Sequence, residues 1–172
     1  KAFYSGLFGW TADDRPTDRG PPYTMLCKDG KSVSALFGLA PEMGDQPRWQ
    51  AYISVEDVDA AVDDAAALGA RVIMPPMDVM QAGRMAAIQD PAGAAVCLWQ
   101  AGEHAGAQLQ NEPGAQCWLE LQTTDKPLVA RFYGGLLGWT TRTSKSVMEG
   151  RYEIFVCDGA EVGGMMQIEP DW

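Results

Sequence analysis

The sequence predicts an α+β fold made of tandem βαβββ repeats. The main observation is an internal repeat: FYSGLFGWT at residues 3–11 returns as FYGGLLGWT at residues 132–140. The same offset aligns Tyr23 with Tyr152 and the Asp-Gly pair at 29–30 with that at 158–159. A register held without a gap over about forty residues indicates two copies of one structural unit.

The second copy shows the order of elements most completely. Alternating side chains predict an opening strand from Trp118, and Asp125 is a suitable N-cap for the helix after it. Gly138 can end this helix in a left-handed conformation. Asp158-Gly159 is a hairpin turn between two strands. The expected strands are one opening at 118–123, one starting at 139, and a hairpin at 152–157 and 162–168.

Residues 48–100 repeat this order with a different sequence. Apolar residues at helical spacing follow Asp57 and stop before Gly69, which predicts a helix between these two signals. The expected strands are 49–55, 71–74, 84–89 and 94–100. Pro75-Pro76 should end the second of these strands, because proline cannot donate a backbone hydrogen bond. The chain therefore contains three βαβββ repeats, and the first lacks its opening strand.

This pattern predicts a domain organisation. Residues 1–103 would form a first pair of repeats, 104–115 a polar linker, and 116–172 the first half of a second such domain. A repeat must pair to bury the apolar face of its sheet. The third repeat has no partner in this division. It would need a missing fourth repeat or another copy of this chain, which would make a homodimer.

Composition excludes several classes of protein. The 172 residues include 13 basic and 23 acidic side chains, for a net charge of −10. This charge argues against binding to nucleic acid or to anionic membranes, and no apolar run is long enough to span a bilayer. The four cysteines form no CxxC pair, which favours reduced thiols in a cytoplasmic protein.

Together, these motifs resemble the vicinal oxygen chelate superfamily, which includes glyoxalases, bleomycin-resistance proteins and dioxygenases. The resemblance is carried by FYSGLFGW, FYGGLLGW, VEDVDAAVDDAAALGARV and DPAGAAVCLWQ. It is greatest with bacterial tandem proteins that have two such domains in one chain, of glyoxalase-like or hydroxylase type. The resemblance implies that repeats pair into curled, cup-like mixed sheets around a ligand cavity.

The resemblance also identifies the positions that hold metal ligands in the superfamily's metalloenzymes. These positions contain Gln50, Cys97 and Trp118 here, and the one histidine, His104, falls in the linker. A divalent cation needs three or four converging nitrogen or oxygen ligands. We therefore expect no metal or other cofactor, unless strands outside this sequence supply His or Glu.

Residues on the expected cup strands are candidates for the ligand cavity. Tyr52, Trp99 and Trp118 suit a flat organic ligand. Glu120 is the candidate catalytic residue, since a desolvated carboxylate could act as a general base. The alternative is a carboxylate that is hydrogen-bonded or exposed. The full set of expected cavity residues is Gln50, Tyr52, Cys97, Trp99, Trp118, Glu120 and Gln122.

The sequence leaves three functions open. The first is a glyoxalase-like protein that binds a small, partly aromatic or apolar organic molecule without a catalytic metal. The second is a metal-dependent lyase, isomerase or dioxygenase of the same superfamily, with its ligands on strands outside the sequence. The third is a non-catalytic scaffold whose role is pairing.

Overall fold

A computed structural model describes residues 1–17, 21–39, 46–144 and 150–169. Within these ranges the chain is α+β, as predicted. The elements are α1 (Ala2–Phe8), β1 (Thr11–Arg15), β2 (Tyr23–Lys28), β3 (Lys31–Leu36), β4 (Tyr52–Ser54), α2 (Val58–Ala67), β5 (Arg71–Val79), β6 (Gly83–Gln89), β7 (Ala95–Ala101), β8 (Glu120–Thr123), α3 (Lys126–Leu137), β9 (Thr140–Thr143), β10 (Tyr152–Cys157) and β11 (Ala160–Gln167).

The strands form three sheets that follow the predicted repeats. The second and third repeats have the same strand order, β4-β7-β6-β5 and β8-β11-β10-β9. In each, the opening strand pairs in parallel with the last strand, and the other pairs are antiparallel. The described part of the first repeat forms a three-stranded sheet, β1-β2-β3.

The helix ends confirm the local signals in the sequence. The side chain of Asp125 accepts a hydrogen bond from the Leu128 N–H at 2.9 Å, and Asp57 accepts one from Ala60 N–H at 3.1 Å. Gly138 follows α3 with φ 68°, in the left-handed region. Each interaction satisfies a backbone group that the helix leaves unpaired at its end.

One strand is longer than the sequence predicts. β5 continues through Pro75-Pro76 to Val79, with irregular register on either side of Met74. β5 lies at the edge of its sheet, where a missing backbone N–H costs little. The expectation that the two prolines end the strand was wrong because it did not take this edge position into account.

The chain divides into two compact units that differ from the predicted domains. The first unit comprises Lys1–Trp49 and Ala105–Cys117, and the second comprises Gln50–His104 and Trp118–Trp172. The second and third repeats therefore share a unit. The predicted boundaries, 1–103, 104–115 and 116–172, placed them in different domains.

A shared core explains this pairing. Buried side chains of α2, β6 and β7 form one apolar cluster with those of α3, β10 and β11. The members are Val58, Val62, Ala65, Ala86, Ile88, Val96, Leu98, Val129, Phe132, Tyr133, Phe155 and Met165. The third repeat thus buries its helix-facing side against the second repeat. A partner for the other face of its sheet, either a missing fourth repeat or a second copy of this chain, stays a prediction.

The predicted linker is part of the first compact unit. The Gln108 N–H donates to the Ser32 carbonyl at 2.7 Å, and Ser32 N–H donates to Gln108 Oε1 at 2.8 Å. Trp10 Nε1 donates to the Gly114 carbonyl at 2.7 Å, and Leu109 is buried in the core of this unit. These contacts hold the segment in place, whereas its polar composition had predicted an unattached linker.

The helices are short. α3 has 12 residues, whereas a helix needs about 20 apolar residues to cross the hydrocarbon core of a bilayer. In the described ranges, no helix is both long enough and apolar enough to do so.

Asp90 connects the second and third repeats. Its Oδ1 accepts hydrogen bonds from the N–H groups of Ala92 and Ala94, both at 2.9 Å, and Tyr133 Oη donates to its Oδ2 at 3.4 Å. Asp90 is 3% exposed, and this burial raises the pKa of its carboxyl group despite the hydrogen bonds. Ionised Asp90 therefore costs the folded protein free energy.

Replacing Asp90 should change how stability depends on pH. Because the folded pKa is raised above the ordinary 3.8, the stabilisation from a protonated Asp90 is present at low pH and is lost as pH rises through the folded pKa. Asp90→Asn keeps an acceptor for the two N–H groups and cannot ionise. Urea denaturation should show that this variant gains stability relative to the wild type as the pH rises above about 4, where the unfolded carboxyl group ionises and the folded one does not.

The control is Asp63→Asn, which removes an exposed carboxylate from α2 and should show no such trend. A relative stability of Asp90→Asn that falls with rising pH would contradict this role of Asp90.

Candidate functional site

Each sheet of the second compact unit turns one face toward the shared core. In β7, Val96 and Leu98 belong to that core, so Cys97 and Trp99 lie on the other face because strand side chains alternate. In β11, Met165 belongs to the core, so Met166 lies on the other face. These two outer faces carry the candidate site residues.

The predicted cavity residues separate into two groups. Gln50, Tyr52, Cys97 and Trp99 belong to the outer face of the β4-β7-β6-β5 sheet, here called the second-repeat face. Trp118, Glu120 and Gln122 belong to the outer face of the β8-β11-β10-β9 sheet, here called the third-repeat face. The structure does not gather all seven in one place, because the shared core separates the two faces.

Aromatic rings dominate the second-repeat face. Tyr52 is 42% exposed, and its ring lies edge-on to Trp99, with centroids 6.3 Å apart at 82°. Trp99 Nε1 donates to the His104 carbonyl at 2.9 Å, and the His104 ring lies 6.0 Å from the Trp99 ring. The sequence assigned His104 to the linker, so its place beside Trp99 was not foreseen. The face offers perpendicular aromatic surfaces to a flat ligand.

The donor set on this face does not fit a divalent metal. Gln50 Nε2 donates to the backbone carbonyls of Ala51 and Ala95, both at 3.4 Å, so only its amide oxygen could ligate a metal. Cys97 is buried. Across the ranges that the structure describes, no cluster of three or more His, Cys, Asp or Glu could hold an ion. No chemical step is therefore assigned to a metal.

A hydrogen-bonded cluster occupies the third-repeat face. Trp118 Nε1 donates to Tyr152 Oη at 2.7 Å. Burial raises the pKa of Tyr152, the hydrogen bond from Trp118 lowers it, and the Glu120 carboxylate raises it, so that the pKa lies above its ordinary value. The tyrosine hydroxyl thus keeps its proton at neutral pH, and Glu120 is exposed.

Gly164 makes room for this cluster. A Cβ atom at this position would overlap the Tyr152 hydroxyl and would lie 2.8 Å from Trp118 Nε1. Tyr152 was not among the site residues expected from the sequence. Two features of the sequence could have indicated Tyr152. It aligns with Tyr23 in the internal repeat, and a glycine, Gly164, lies two residues before Met166 on the neighbouring strand.

An open pocket of about 260 Å³ lies at one end of the second-repeat sheet, apart from the predicted site residues. Arg84 is among its lining residues, and its guanidinium pairs with Asp59 at 2.7 Å and with Asp78 at 2.8 Å. Two carboxylates compensate this cation, so the pocket offers no free positive charge to an anion.

The sequence matches one protein-family model over residues 1–98, that of the Glyoxalase/Bleomycin resistance protein/Dioxygenase superfamily. The chain belongs to this superfamily. The resemblance found in the sequence is thereby confirmed, and so is the fold of cup-like mixed sheets.

Two relatives support this membership. The chain is 43% identical to the protein named "Putative glyoxylase CFP32" of Mycobacterium tuberculosis, over 97% of this chain and 65% of the relative. It is 34% identical to the anthracycline biosynthesis protein DauV of Streptomyces sp., over 99% of this chain and 68% of the relative. This superfamily member therefore spans only about two thirds of the relatives' length.

A solved structure shows the same fold. The Mn(II)-bound glyoxalase of Novosphingobium aromaticivorans superimposes with a TM-score of 0.68 at 16% identity, covering 99% of this chain and 57% of that one. At this identity the likeness concerns the glyoxalase fold alone.

Substituting Gly164 should disturb the third-repeat face. In Gly164→Ala, the added Cβ must displace the Tyr152 hydroxyl, and overpacking of this kind costs about 1–3 kcal/mol. The measurement is the free energy of unfolding in urea. Gly6→Ala is the control, because nothing lies within 4 Å of a Cβ at Gly6 in α1; it should lose no stability and could gain up to about 1 kcal/mol, since alanine favours a helix more than glycine does. If Gly164→Ala is as stable as the wild type, Gly164 does not seat the cluster.

Proposed function

We propose that this protein binds a small, flat, partly aromatic organic molecule on the second-repeat face. The observation that carries the proposal is the edge-to-face pair of Tyr52 and Trp99, of which Tyr52 is 42% exposed. Perpendicular rings give a flat ligand one surface to stack on and one edge to contact. Binding sites for small molecules are typically apolar and aromatic with few polar groups.

Two further points support this class of ligand. The family match over residues 1–98 includes the strand that carries Tyr52 and ends one residue before Trp99. DauV, one relative, is named for the biosynthesis of anthracyclines, which contain flat fused rings. A ligand of that shape would fit against the exposed ring of Tyr52.

We propose that this binding does not use a metal. The groups at the superfamily's ligand positions are the Gln50 amide and the buried Cys97 thiol on the second-repeat face, and the Trp118 indole on the third-repeat face. The indole cannot ligate a metal, and one amide oxygen with one thiol falls short of the three or four ligands that a divalent cation needs. The role proposed for this face is therefore binding, and no catalytic step is assigned to it.

The third-repeat face is proposed to pair with another βαβββ repeat. Trp118 remains 37% exposed there, and pairing would bury it. The partner would be a fourth repeat of a longer chain or a second copy of this chain in a homodimer. Light scattering distinguishes them, because only the second copy doubles the mass of the 172-residue chain.

We further propose a cytoplasmic location. A cell fractionation that finds the protein outside the cytoplasm would contradict it.

Removing the Tyr52 ring should weaken the binding of a flat probe. The uncharged tricycle 1,4-dihydroxyanthraquinone is titrated with the protein and followed by its own fluorescence. Tyr52→Ala should raise its Kd about 3–10-fold, the factor expected for one aromatic contact.

Tyr23→Ala is the matched control. Tyr23 is 38% exposed and stacks on Phe37 in the first compact unit, so its removal should leave the Kd unchanged. Absence of saturable binding, or an equal effect of the two substitutions, would show that the second-repeat face is not the binding site.

A further inference from the structure

We propose that α1 is an association surface, through which two copies of this chain pair helix against helix about a two-fold axis. The surface, here called the α1 face, consists of Phe3, Gly6 and Leu7. These residues lie on one side of the helix because they are three and four positions apart. The α1 face belongs to neither the second-repeat face nor the third-repeat face, so this proposal does not depend on what those two faces bind.

The rings of α1 have the same arrangement as those of α3. The internal repeat aligns Phe3 and Tyr4 of α1 with Phe132 and Tyr133 of α3. Each pair of rings lies edge to face, with centroids 5.1 Å apart at 81° in α1 and 5.0 Å apart at 78° in α3. Each tyrosine also stacks on the tryptophan that follows its helix, in both cases with centroids 5.9 Å apart. The two helices are therefore equivalent in local structure as well as in sequence.

The two helices differ in what covers them. Phe132 is 2% exposed, because it belongs to the core that α3 shares with α2. Its equivalent Phe3 is 71% exposed, and Leu7 is 59% exposed. Burial of side chains of this size is favourable. In the part of the chain that the structure describes, α1 thus carries the apolar residues of a helix contact without a second helix over them.

A glycine marks the place where a second helix would cross α1. Gly6 aligns with Gly135 of α3, and a Cβ at Gly135 would lie 3.1 Å from the Leu68 side chain at the end of α2. Gly135 therefore lets Leu68 approach the backbone of α3. Among the described residues, nothing lies within 4 Å of a Cβ at Gly6, although glycine is one of the least favourable residues inside a helix. Gly6 thus leaves room for a side chain like that of Leu68.

α1 contains both halves of this contact, which is why we assign the partner to a second copy. Leu68 and Leu136 each lie eleven residues after the N-cap aspartate of their helix. Leu136 aligns with Leu7 in the internal repeat, so Leu7 is the equivalent of Leu68. When two α1 helices pair, Leu7 of each copy can pack on Gly6 of the other, and the two-fold axis forms the contact twice.

The area available indicates a weak association. Trp49 lies beside the α1 face, since it is 61% exposed and its ring contacts Tyr4 edge to face at 5.3 Å. With Phe3 and Leu7 it offers roughly 400 Å² of apolar surface per copy, because one aromatic side chain buries about 150–250 Å². A contact of this size is at the lower end of specific interfaces, so we expect a dissociation constant on the order of 10–100 µM.

The charge of the protein gives this association a characteristic salt dependence. α1 contains no charged side chain, whereas each copy has a net charge of −10. Two such copies repel each other, and salt screens the repulsion. An apolar contact through α1 should therefore tighten as salt is added, whereas a contact made of ion pairs would weaken.

The test is sedimentation velocity of the 172-residue chain at concentrations from about 1 to 300 µM. We expect the wild type to change from one chain to two over this range. Leu7→Glu places a charge on the α1 face and should weaken association at least about 10-fold. Met80→Glu is the matched control, because Met80 is 86% exposed in the second compact unit, and it should have no effect.

A second variant separates loss of the contact from loss of the helix. Gly6→Gln fills the space over Gly6 with a residue that favours a helix more than glycine does. It should weaken association about 10-fold, while the free energy of unfolding of the single chain does not fall. Alanine is too short for this test, because a Cβ at the equivalent Gly135 would need Leu68 to move only a few tenths of an ångström.

Hydrogen exchange identifies the face that pairs, since pairing of two copies through the third-repeat face would also double the mass. The amides of α1 should exchange more slowly at about 300 µM than at about 1 µM. Leu7→Glu should abolish this difference, and Met80→Glu should preserve it.

Three results would overturn the proposal. One is a wild type that sediments as a single chain at every concentration, which would leave a repeat of a longer chain as the occupant of the α1 face. Another is equal weakening by Leu7→Glu and Met80→Glu. The third is slower exchange at high concentration in β8 and not in α1, which would place the contact on the third-repeat face.

Discussion

The apolar core shared by the second and third repeats determines which surfaces these repeats leave free. Each of the two sheets has one face covered by its helix, and here the two repeats bury these faces against each other. Val62 on α2 and Phe132 on α3 belong to the same cluster. The consequence is that the other faces of the two sheets lie on opposite sides of this core, so side chains expected in one cavity lie on two surfaces.

The two outer faces then differ in chemistry. On the second-repeat face, the rings of Tyr52 and Trp99 contact each other edge to face. This aromatic surface suits an uncharged flat ligand. The third-repeat face instead carries the hydrogen-bonded pair of Trp118 and Tyr152, and Glu120 is exposed on the same face. Equivalent strand positions thus carry different residues in the two repeats.

The sequence predicted features that depend on local chemistry. Asp125 and Gly138 bracket α3 as expected, since a cap and a left-handed glycine need no distant partner. The sequence analysis paired the first repeat with the second, whereas the shared core joins the second repeat to the third, because each apolar face could pack against either neighbour. It also missed Tyr152, whose role depends on Trp118 far away in the chain and on the empty space above Gly164. The strand through Pro75-Pro76 was missed for a similar reason, since its edge position is a property of the whole sheet.

Native-state hydrogen exchange of the Phe132→Ala variant tests the shared core most directly. Phe132 belongs to the third repeat and is 2% exposed, and removal of a buried phenylalanine side chain costs about 3–5 kcal/mol. If the two repeats unfold as one cooperative unit, the amides of Ile88 and Leu98 in the second repeat should exchange faster by the same factor as those of Phe155 and Met165, about 10²–10⁴-fold. Faster exchange confined to the third repeat would show that the two repeats are independent and would contradict the shared core.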